Sequence, residues 1–368
     1  MTLRVGVVGG GLVAQAMHLH YLATRRDLFE LAALAEPSAT VRKALGLRHG
    51  IARLHTDYHG LLEAGGLDAV LVSSPAATHA EVVLASLDAG LHVFVEKPMC
   101  ITLADADAIV AARDRAARIV QVGTMKRFDP AYERMLEELP ESAVELRYIS
   151  VVVNDPEFAP YFEPGELARG SDVPPEVMEA TRRSEAEQVK AAVGSGAPEV
   201  VQAFSESFLG SLVHDVNVVH GLLERMGEPL PGEVVSGDWW NHGRAVSGAV
   251  RLENGGRWDS AWIQLLDTHE YRESVSLFFA DSVRTLVFPS PWLKQYPTLY
   301  RRSERNGTAN DVRRAEFYSE SFARELEHFH RCVTESEPCR TPPEQARVDM
   351  EVLTRMFLLS SRTESDRE

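Results

Sequence analysis

Two charged residues and a proline directly follow an apolar run at residues 92–95. They are Glu96, Lys97 and Pro98. A lysine at the end of a buried strand can direct its ammonium group at a reacting oxygen, and proline fixes the backbone that carries it. The neighbouring carboxylate offsets part of the free energy needed to bury the lysine. The alternative is a structural ion pair at a strand end. Lys97 is the first candidate for a catalytic group.

A histidine in the second half of the chain is the second candidate. Residues 208–227 show apolar positions at helical spacing, which predicts a helix with His214 near its middle. An imidazole with a pKa near 6.5 can take and return a proton at neutral pH. His220 lies six residues further on and therefore on another face, so we interpret it as structural.

The first turn of the chain carries a glycine pattern. Gly9, Gly11 and Ala14 fit G-x-G-x-x-G/A between a predicted strand and a predicted helix. One glycine permits the tight turn, the next lets backbone N–H groups approach a pyrophosphate, and the small third residue allows close packing. The helix N-terminus then faces the phosphates. This pattern predicts a dinucleotide site.

An acid ends the second predicted strand. Glu36 follows the apolar run at residues 29–35, where a carboxylate accepts hydrogen bonds from ribose hydroxyls. Because a carboxylate repels a 2′-phosphate, Glu36 favours NAD over NADP. Arg42 and Lys43 follow on the next predicted helix and leave NADP possible. A solvated residue at a strand end is the alternative interpretation of Glu36.

Alternating strands and helices must position these groups. Apolar runs of strand length alternate with Ala- and Leu-rich helical segments, the last of which begins with Thr102 as a predicted N-cap. This order predicts an α/β domain over residues 1–125, with a doubly wound parallel sheet. The predicted strands are 3–9, 29–36, 67–74, 91–96 and 117–123. Ligands bind such sheets at the carboxyl ends of the strands, where Lys97 lies.

Taken together, these motifs resemble the glucose-fructose oxidoreductase / inositol dehydrogenase (Gfo/Idh/MocA) family. The resemblance rests on "GVVGGGLVA", "SSPAATHAEV", "EKP", "QVGTMKRFDPAY", "SFARELEHFHRCV" and "PPEQARVDMEVL". It implies a Rossmann domain followed by a domain built on an open, mostly antiparallel sheet, here residues 126–368. It also implies that Lys97 hydrogen bonds to the reacting hydroxyl and that Pro98 is cis.

The same resemblance assigns roles on the helix near residue 214. It implies that His214 is the general base and that the residue three later, usually acidic in the family and here Asn217, touches a neighbouring hydroxyl. The chain departs from the family where relatives carry an acid four residues before the histidine, because Gly210 stands there. Either Asp215 or Ser211 orients the imidazole, or the proton relay is weaker.

The expected site combines residues from both halves of the chain. Lys126 and Arg127, after the last predicted Rossmann strand, either reach substrate oxygens or lie at a solvated domain junction. The expected substrate-binding residues are Asn217, Asp215, Lys126 and Arg127. The expected cofactor-binding residues are Gly9, Gly11, Leu12, Val13, Glu36, Ser74, Pro75, His79, Glu96 and Lys97. No metal site is expected, and His18 is interpreted as a packing or surface residue.

Two features of the second half have a structural interpretation. "ENGG" at residues 253–256 predicts a hairpin turn, and a second pair of strands is predicted around Asp281. Residues 155–205, rich in Pro, Glu and Ala, form an expected insertion with a helix at 174–193. This insertion either covers the substrate pocket, builds a subunit contact, or is a surface excursion.

Composition limits the class of protein. The 368 residues are 45% hydrophobic, enough for two domains, and the net charge of -16 argues against nucleic acid or anionic membrane as a partner. The first residues lack the pattern of a signal peptide, and no apolar run is long enough to span a membrane. The three cysteines form no metal-ligand or disulfide spacing, so we expect a reducing, cytoplasmic compartment. The family resemblance implies a homodimer or homotetramer.

These residues predict an NAD(P)-dependent oxidoreductase that transfers hydride at a secondary alcohol or ketone. The expected substrate is a sugar, cyclitol or amino-sugar derivative. The alternatives are a ketoreductase of nucleotide-linked deoxysugars and a non-catalytic dinucleotide-binding regulator on the same scaffold.

Overall fold

The computed structural model of the protein describes residues 1–365, and the side chains of residues 1–360. The chain divides into two compact units. The first contains Met1–Thr124, Phe162–Ala192 and Phe322–Arg347, and the second contains Met125–Tyr161, Val193–Ser321 and Val348 onward. This division differs from the expected pair of consecutive domains, because two later segments belong with the first unit.

The strands and helices follow in chain order. The strands are β1 Leu3–Val8, β2 Phe29–Ala35, β3 Arg53–His55, β4 Ala69–Val72, β5 His92–Glu96, β6 Val120–Gly123, β7 Leu146–Pro156, β8 Glu233–Trp240, β9 Ala245–Arg251, β10 Arg257–Leu265, β11 Arg272–Phe279, β12 Ser282–Phe288, β13 Thr298–Asn306 and β14 Ala309–Phe317. The α-helices are α1 Leu19–Thr24, α2 Ala39–His49, α3 Tyr58–Glu63, α4 Ala76–Asp88, α5 Leu103–Ala116, α6 Pro130–Glu138, α7 Pro175–Val193, α8 Pro198–Val201, α9 Val213–Arg225, α10 Ser321–Glu335 and α11 Pro343–Ser365. Two segments are π-helical, Ala14–His18 and Gln202–Leu212, and two are 3₁₀-helical, Met125–Phe128 and Ala159–Tyr161.

The first unit is built on a six-stranded parallel sheet. Its order is β3-β2-β1-β4-β5-β6, with all pairs parallel. The strand order reverses between β1 and β4, and ligands bind doubly wound sheets at the carboxyl end of that switch point. The predicted α/β fold is confirmed, although the short β3 was not predicted.

The second unit is built on an eight-stranded sheet. Its order is β14-β13-β12-β11-β7-β10-β9-β8, and only β7 and β10 pair in parallel. The predicted hairpin at "ENGG" joins β9 to β10, where Leu252 N donates to Gly256 O and Gly255 has a φ of 84°. The predicted strand pair around Asp281 is β11 and β12. The mostly antiparallel sheet is therefore confirmed.

Short-range hydrogen bonds explain where several helices begin. Thr102 Oγ1 accepts from Asp105 N at 3.0 Å, as predicted for an N-cap. Ser38, Asp57 and Asp129 cap α2, α3 and α6 in the same way. Each cap satisfies an N–H group that the helix itself cannot pair, which fixes where the preceding loop ends. Within the described residues, no helix combines the length and the apolar content that a membrane span requires.

Candidate functional site

The glycine loop after β1 leaves room for a ligand. Gly9 has a φ of 99°, and a Cβ there would lie 2.6 Å from the backbone of Ser73 and Ser74. Gly11 is exposed, and a Cβ there would meet nothing within 4 Å, whereas Ala14 is fully buried. The loop thus needs glycine at its first position and presents open backbone at its second. This arrangement fits a pyrophosphate at the start of the helix.

The Glu36 carboxylate is fixed beside the glycine loop by two backbone donors. Gly10 N donates to Oε2 and Ser38 N donates to Oε1, each at 2.9 Å. Each oxygen retains a second lone pair, so the carboxylate can still accept hydrogen bonds from ribose hydroxyls. The guanidinium group of Arg42 donates to the carbonyl oxygens of Glu36 and Pro37. The residues present therefore fit the adenosine half of a dinucleotide.

The insertion contributes a second carboxylate near Glu36 that sequence reasoning missed. Asp172 accepts hydrogen bonds from the Ser38 hydroxyl and from Thr40 N, the latter at 2.9 Å. These contacts lower the pKa of Asp172 to about 2. Gln15 Nε2 donates to Gly10 O at 2.7 Å and to Ala168 O at 3.1 Å, and Ala168 N donates to Gln15 Oε1 at 2.7 Å. Residues 168–172 thus lie beside the glycine loop and at the start of α2.

The remaining predicted cofactor residues differ in exposure. Leu12, Val13 and Ser74 are half-buried, and Pro75 is exposed. His79, by contrast, is buried, with Nε2 2.7 Å from Ser74 O and Nδ1 2.8 Å from Pro98 O. Burial lowers the pKa of His79 against the opposing effect of these carbonyls. His79 therefore joins the segments that follow β4 and β5.

Glu96, at the end of β5, has a side-chain partner that was not predicted from the sequence. His18, interpreted above as a packing or surface residue, is fully buried, and its Nε2 lies 2.6 Å from Glu96 Oε1. Lys97 N donates to Glu96 Oε2 at 3.1 Å. Burial raises the pKa of Glu96, but His18 outweighs it and the pKa is lowered. Lys97 is half-buried, and its peptide bond to Pro98 is cis, as the resemblance implied.

A third buried acid lies beside this pair. Glu325 of α10 is fully buried, and one carboxylate oxygen lies within 4.8 Å of the facing atoms of His18 and Glu96. Burial, followed by the charge of Glu96, raises the pKa of Glu325 well above its usual range. Neither of its carboxyl oxygens has a hydrogen-bond partner among the described residues. Glu325 thus favours its protonated form.

The fold also gathers side chains that the sequence spacing kept apart. Within the described residues, two sets of metal-capable atoms each lie within 4.8 Å of one another. One is the set of His18, Glu96 and Glu325, and the other is His328, Cys332 and Cys339. The spacing of the cysteines in the sequence did not predict that Cys332 and Cys339 lie close together.

The predicted catalytic histidine lies in the second unit. His214 is half-buried in α9, directly after the π-helical segment Gln202–Leu212. Gly210 lies in that π-helical segment, where the α-helical relation between a residue and the fourth one along does not hold. Ser211 Oγ donates to Glu206 O at 3.1 Å, so one of the two groups expected to orient the imidazole is engaged elsewhere.

The other expected orienting group, Asp215, belongs to a buried charged cluster. Its carboxylate lies 3.6 Å from Lys126 Nζ, and Lys126 also pairs with Glu273, which accepts from Tyr271 Oη. Burial raises the pKa of Asp215 well above its usual range, against the charge of Lys126. Burial lowers the pKa of Lys126, but Asp215 and Glu273 outweigh it and raise the pKa. Lys126 thus carries a charge balanced chiefly by Glu273.

Sequence reasoning missed Glu273, although the strand pattern contains a signal. Glu273, Val275 and Leu277 alternate along β11 and are all buried on one face. A glutamate on the apolar face of an alternating strand requires a buried partner.

Asn217 and Arg127, both predicted to bind substrate, are buried within the second unit. Asn217 Nδ2 donates to Asp349 Oδ2 at 2.6 Å, and Arg127 Nη1 donates to Asn217 O at 3.2 Å. His220 Nδ1 lies 2.6 Å from the other oxygen of Asp349. The interpretation of His220 as structural stays a prediction, now with Asp349 as its partner. Asp349, which sequence reasoning missed, therefore binds two side chains of α9.

A parallel sheet in the order 3-2-1-4-5-6, with a glycine loop and an acid at its switch point, defines a dinucleotide-binding Rossmann domain. The family described as "Oxidoreductase family, NAD-binding Rossmann fold" matches residues 3–124. This Gfo/Idh/MocA match covers the Rossmann domain, about one third of the chain, and that domain is of the NAD(P)-binding type.

Curated relatives resemble part of the chain. Inositol 2-dehydrogenase 3 of Saccharopolyspora erythraea is 39% identical over 139 residues, which cover 37% of this chain and 40% of that protein. Myo-inositol 2-dehydrogenase of Thermotoga maritima is 31% identical over 142 residues, covering 39% and 42%. The chain thus matches about two fifths of the length of these relatives.

Solved structures resemble the fold over nearly the whole chain. UDP-N-acetylglucosamine 3-dehydrogenase from Acidithiobacillus ferrooxidans has a TM-score of 0.71 at 17% identity, covering 98% of this chain and 99% of that one. A 3-ketoreductase from Actinomadura kijaniata, in complex with NADP and TDP-benzene, has a TM-score of 0.71 at 18% identity, covering 96% of both chains. At this identity the likeness shows the fold alone.

Proposed function

We propose that this chain is an NAD-dependent dehydrogenase that oxidises a secondary alcohol of a sugar, cyclitol or amino-sugar derivative. One observation carries the proposal. Lys97 directly follows β5, and its peptide bond to Pro98 is cis. It therefore lies at the carboxyl edge of the sheet that also bears the glycine loop. Ligands of doubly wound sheets bind at that edge. The inositol 2-dehydrogenases among the relatives support the substrate class.

Two side chains are proposed to act on the alcohol. The Lys97 ammonium donates a hydrogen bond to the hydroxyl oxygen and stabilises the negative charge that develops there. The His214 imidazole accepts the hydroxyl proton and returns it in the reverse reaction. A bound nicotinamide would supply the acceptor for the hydride of the carbinol carbon. Reduction of a ketone requires the same two residues with the proton moving in the opposite direction.

Hydrogen bonds hold the backbone on both sides of Lys97. Glu96 is fixed by His18 and by Lys97 N, and His79 is bonded to the carbonyl of Pro98. Such contacts limit the freedom of the backbone on both sides of Lys97, which a positioned catalytic group requires. We therefore propose that His18, Glu96 and His79 are positioning residues.

NAD is proposed as the preferred cofactor, with NADP as the weaker one. Two carboxylates, Glu36 and Asp172, lie around Ser38 at the end of β2. Asp172 already accepts from Thr40 N at the start of α2, where a 2′-phosphate would otherwise find donors. Arg42 donates to two backbone carbonyls in the same segment. Negative charge here disfavours a phosphate more than a hydroxyl.

The second unit supports a hydroxyl-rich substrate. Lys126, Asp215, Glu273 and Tyr271 combine donors and acceptors within one cluster. A sugar or cyclitol offers both donors and acceptors, so its recognition requires such mixed groups. We propose that this cluster, with Asn217 and Arg127, shapes the part of the site that faces the substrate hydroxyls.

The decisive experiment measures reduction of NAD in the presence of inositols, sugars and amino sugars. We expect Lys97→Ala to lower kcat by about 10²–10³-fold while NAD still binds. His214→Gln should lower kcat by about 10²–10⁴-fold. Lys190→Ala, which changes an exposed lysine of α7, is the matched control and should leave kcat unchanged. Wild-type turnover by Lys97→Ala would contradict the proposal.

The same experiment separates the enzyme from a regulator. A non-catalytic dinucleotide-binding protein would bind NAD and reduce it with none of these alcohols. We also propose a cytoplasmic homodimer or homotetramer, and light scattering of the purified protein tests the assembly. A monomer at micromolar concentration would contradict that part.

A further inference from the structure

A cluster in the first unit joins two thiols, an imidazole and a carboxylate. Cys332 Sγ lies 3.2 Å from His328 Nε2, and His328 Nδ1 lies 3.1 Å from Glu337 Oε1. The Cys339 thiol lies within 4.8 Å of both the Cys332 sulfur and the facing imidazole nitrogen. Arg331 Nε holds the other Glu337 oxygen at 2.5 Å. None of these residues belongs to the cofactor loop or to the proposed catalytic pair.

The backbone fixes the tautomer of the imidazole. Arg340 N donates to His328 Nε2 at 3.0 Å, so Nε2 presents its lone pair and Nδ1 carries the hydrogen that Glu337 accepts. Cys332 Sγ faces the same lone pair at 3.2 Å, so Nε2 can take the thiol proton when the N–H group of Arg340 moves aside. The order thiol, imidazole, carboxylate is the arrangement that activates a sulfur nucleophile.

The electrostatics agree with this geometry. The hydrogen bond from Cys339, followed by the contact with His328, lowers the pKa of Cys332 to about 6. The pKa of Cys339 is raised by the same contact with Cys332. One sulfur of the pair therefore favours the thiolate, and the other favours the thiol, as an attacking and a resolving cysteine require.

A metal site is the competing interpretation, and the hydrogen bonds oppose it. A metal bound through His328 Nε2 would have the sulfurs of Cys332 and Cys339 as its other ligands. Glu337 lies on the Nδ1 side of the ring, so it cannot join the two sulfurs as a further ligand of that metal. Structural zinc sites usually have four protein ligands, whereas this cluster offers three.

We propose that Cys332 and Cys339 form a redox-active thiol pair that reduces a hydroperoxide and becomes an intramolecular disulfide. The Cys332 thiolate attacks one oxygen of the hydroperoxide, the O–O bond breaks, and the alcohol (or water) leaves with a proton from His328. Cys332 is then a sulfenic acid. The Cys339 sulfur attacks the Cys332 sulfur, the S–O bond breaks, and water leaves.

The electrons and atoms balance in this sequence. The two thiols lose two electrons and two protons, and the hydroperoxide becomes one alcohol and one water. Reduction by a dithiol restores the pair through thiol–disulfide exchange. The disulfide would join the last turn of α10 to the segment that bonds to β6, where Thr341 Oγ1 donates to Val122 O at 2.8 Å.

The test uses the whole protein, reduced with a dithiol and freed of it, then treated with one equivalent of hydrogen peroxide per chain. We expect the loss of two of the three thiols and a peptide map with a Cys332–Cys339 disulfide. Cys339→Ser should trap Cys332 as a sulfenic acid that reacts with dimedone. His328→Gln should slow the oxidation by about threefold or more, since the thiolate fraction falls faster than nucleophilicity rises.

The control is Cys100→Ser, which removes the other buried thiol. Cys100 Sγ donates to Thr102 O at 3.4 Å, and burial raises the pKa of Cys100, so its removal should leave the oxidation rate unchanged. Circular dichroism checks that each variant folds, and the wild-type peptide map depends on no variant. Three intact thiols after peroxide, oxidation at Cys100 alone, or one zinc per purified chain bound by these thiols would overturn the proposal.

Discussion

His18 Nε2 lies 2.6 Å from Glu96 Oε1, and both side chains are buried beneath the carboxyl end of β5. This contact joins the helix after the glycine loop to the turn that carries Lys97. Because a buried charge that loses its partner is not compensated by water, we expect His18→Ala to reduce the free energy of unfolding by about 3 kcal/mol. Glu96→Gln keeps an acceptor for His18 and should cost less.

Urea unfolding followed by circular dichroism measures these free energies. Glu63→Gln, which changes an exposed acid at the end of α3, is the control and should leave the unfolding midpoint unchanged. If His18→Ala unfolds at the same urea concentration as the wild type, the contact contributes nothing to stability.

Glu325 should make stability depend on pH, because its pKa is raised in the folded state. Below about pH 4 both the folded and the unfolded chain carry the Glu325 proton, so its contribution is complete. Above that pH the unfolded chain releases a proton that the folded chain retains. Stability then falls by up to about 1.4 kcal/mol per pH unit until the folded-state pKa is reached.

Glu325→Gln should remove this loss. The variant should therefore gain stability relative to the wild type as the pH rises from about 5 to 7. Glu335→Gln, on the exposed side of the same helix, is the matched control. A stability difference that stays constant with pH would show that Glu325 ionises normally.

Asp172 should discriminate between the two dinucleotides. Its carboxylate takes the donors of Ser38 and Thr40 at the start of α2. Asp172→Ser removes this charge, so we expect NADP to bind about three- to fivefold more tightly while NAD changes little. Titration of each cofactor, followed by protein fluorescence, measures the ratio of the two affinities. Glu176→Gln, an exposed acid in the first turn of α7, is the control.

Most of the first unit follows from local patterns. The apolar run of β5, the cap at Thr102 and the glycine pattern each depend on residues within one turn or strand, so the sequence alone places them. Gly9 is required by a backbone conformation that other residues rarely adopt. The position of the Glu36 carboxylate beside the cofactor site was predicted because cofactors bind such sheets at the carboxyl ends of the strands.

The unpredicted contacts join distant segments. Asp172 and Ser38 are separated by 134 residues, and nothing local in either segment indicates the contact. Glu325 and Glu273 are different, because each interrupts the apolar face of its own helix or strand beside Phe322 and Val275. A charged residue at such a position predicts a buried partner, although the sequence cannot say which. Cys332 and Cys339 lie close together only because the chain turns back after α10.

Substitution of Asn217 tests whether its contact with Asp349 requires asparagine rather than aspartate at this position of α9. Asn217 Nδ2 donates to Asp349 at 2.6 Å, and both side chains are buried. Asn217→Asp, which restores the acid that the family resemblance implies, would place two carboxyl groups together. One would keep its proton at the expense of a raised pKa, so stability should fall as the pH rises, by on the order of 3 kcal/mol at about pH 8.

Exchanging the two residues should recover the stability that the single variant loses. In the double variant Asn217→Asp, Asp349→Asn, the amide of residue 349 can donate to the new carboxylate, and its oxygen can accept from His220 Nδ1. Urea unfolding of the wild type, both single variants and the double variant gives the coupling free energy between the two positions. A double variant no more stable than Asn217→Asp would show that Asp349 does not select asparagine. The expected recovery would explain why an amide replaces the acid here, since the carboxylate that would repel it is already supplied by α11.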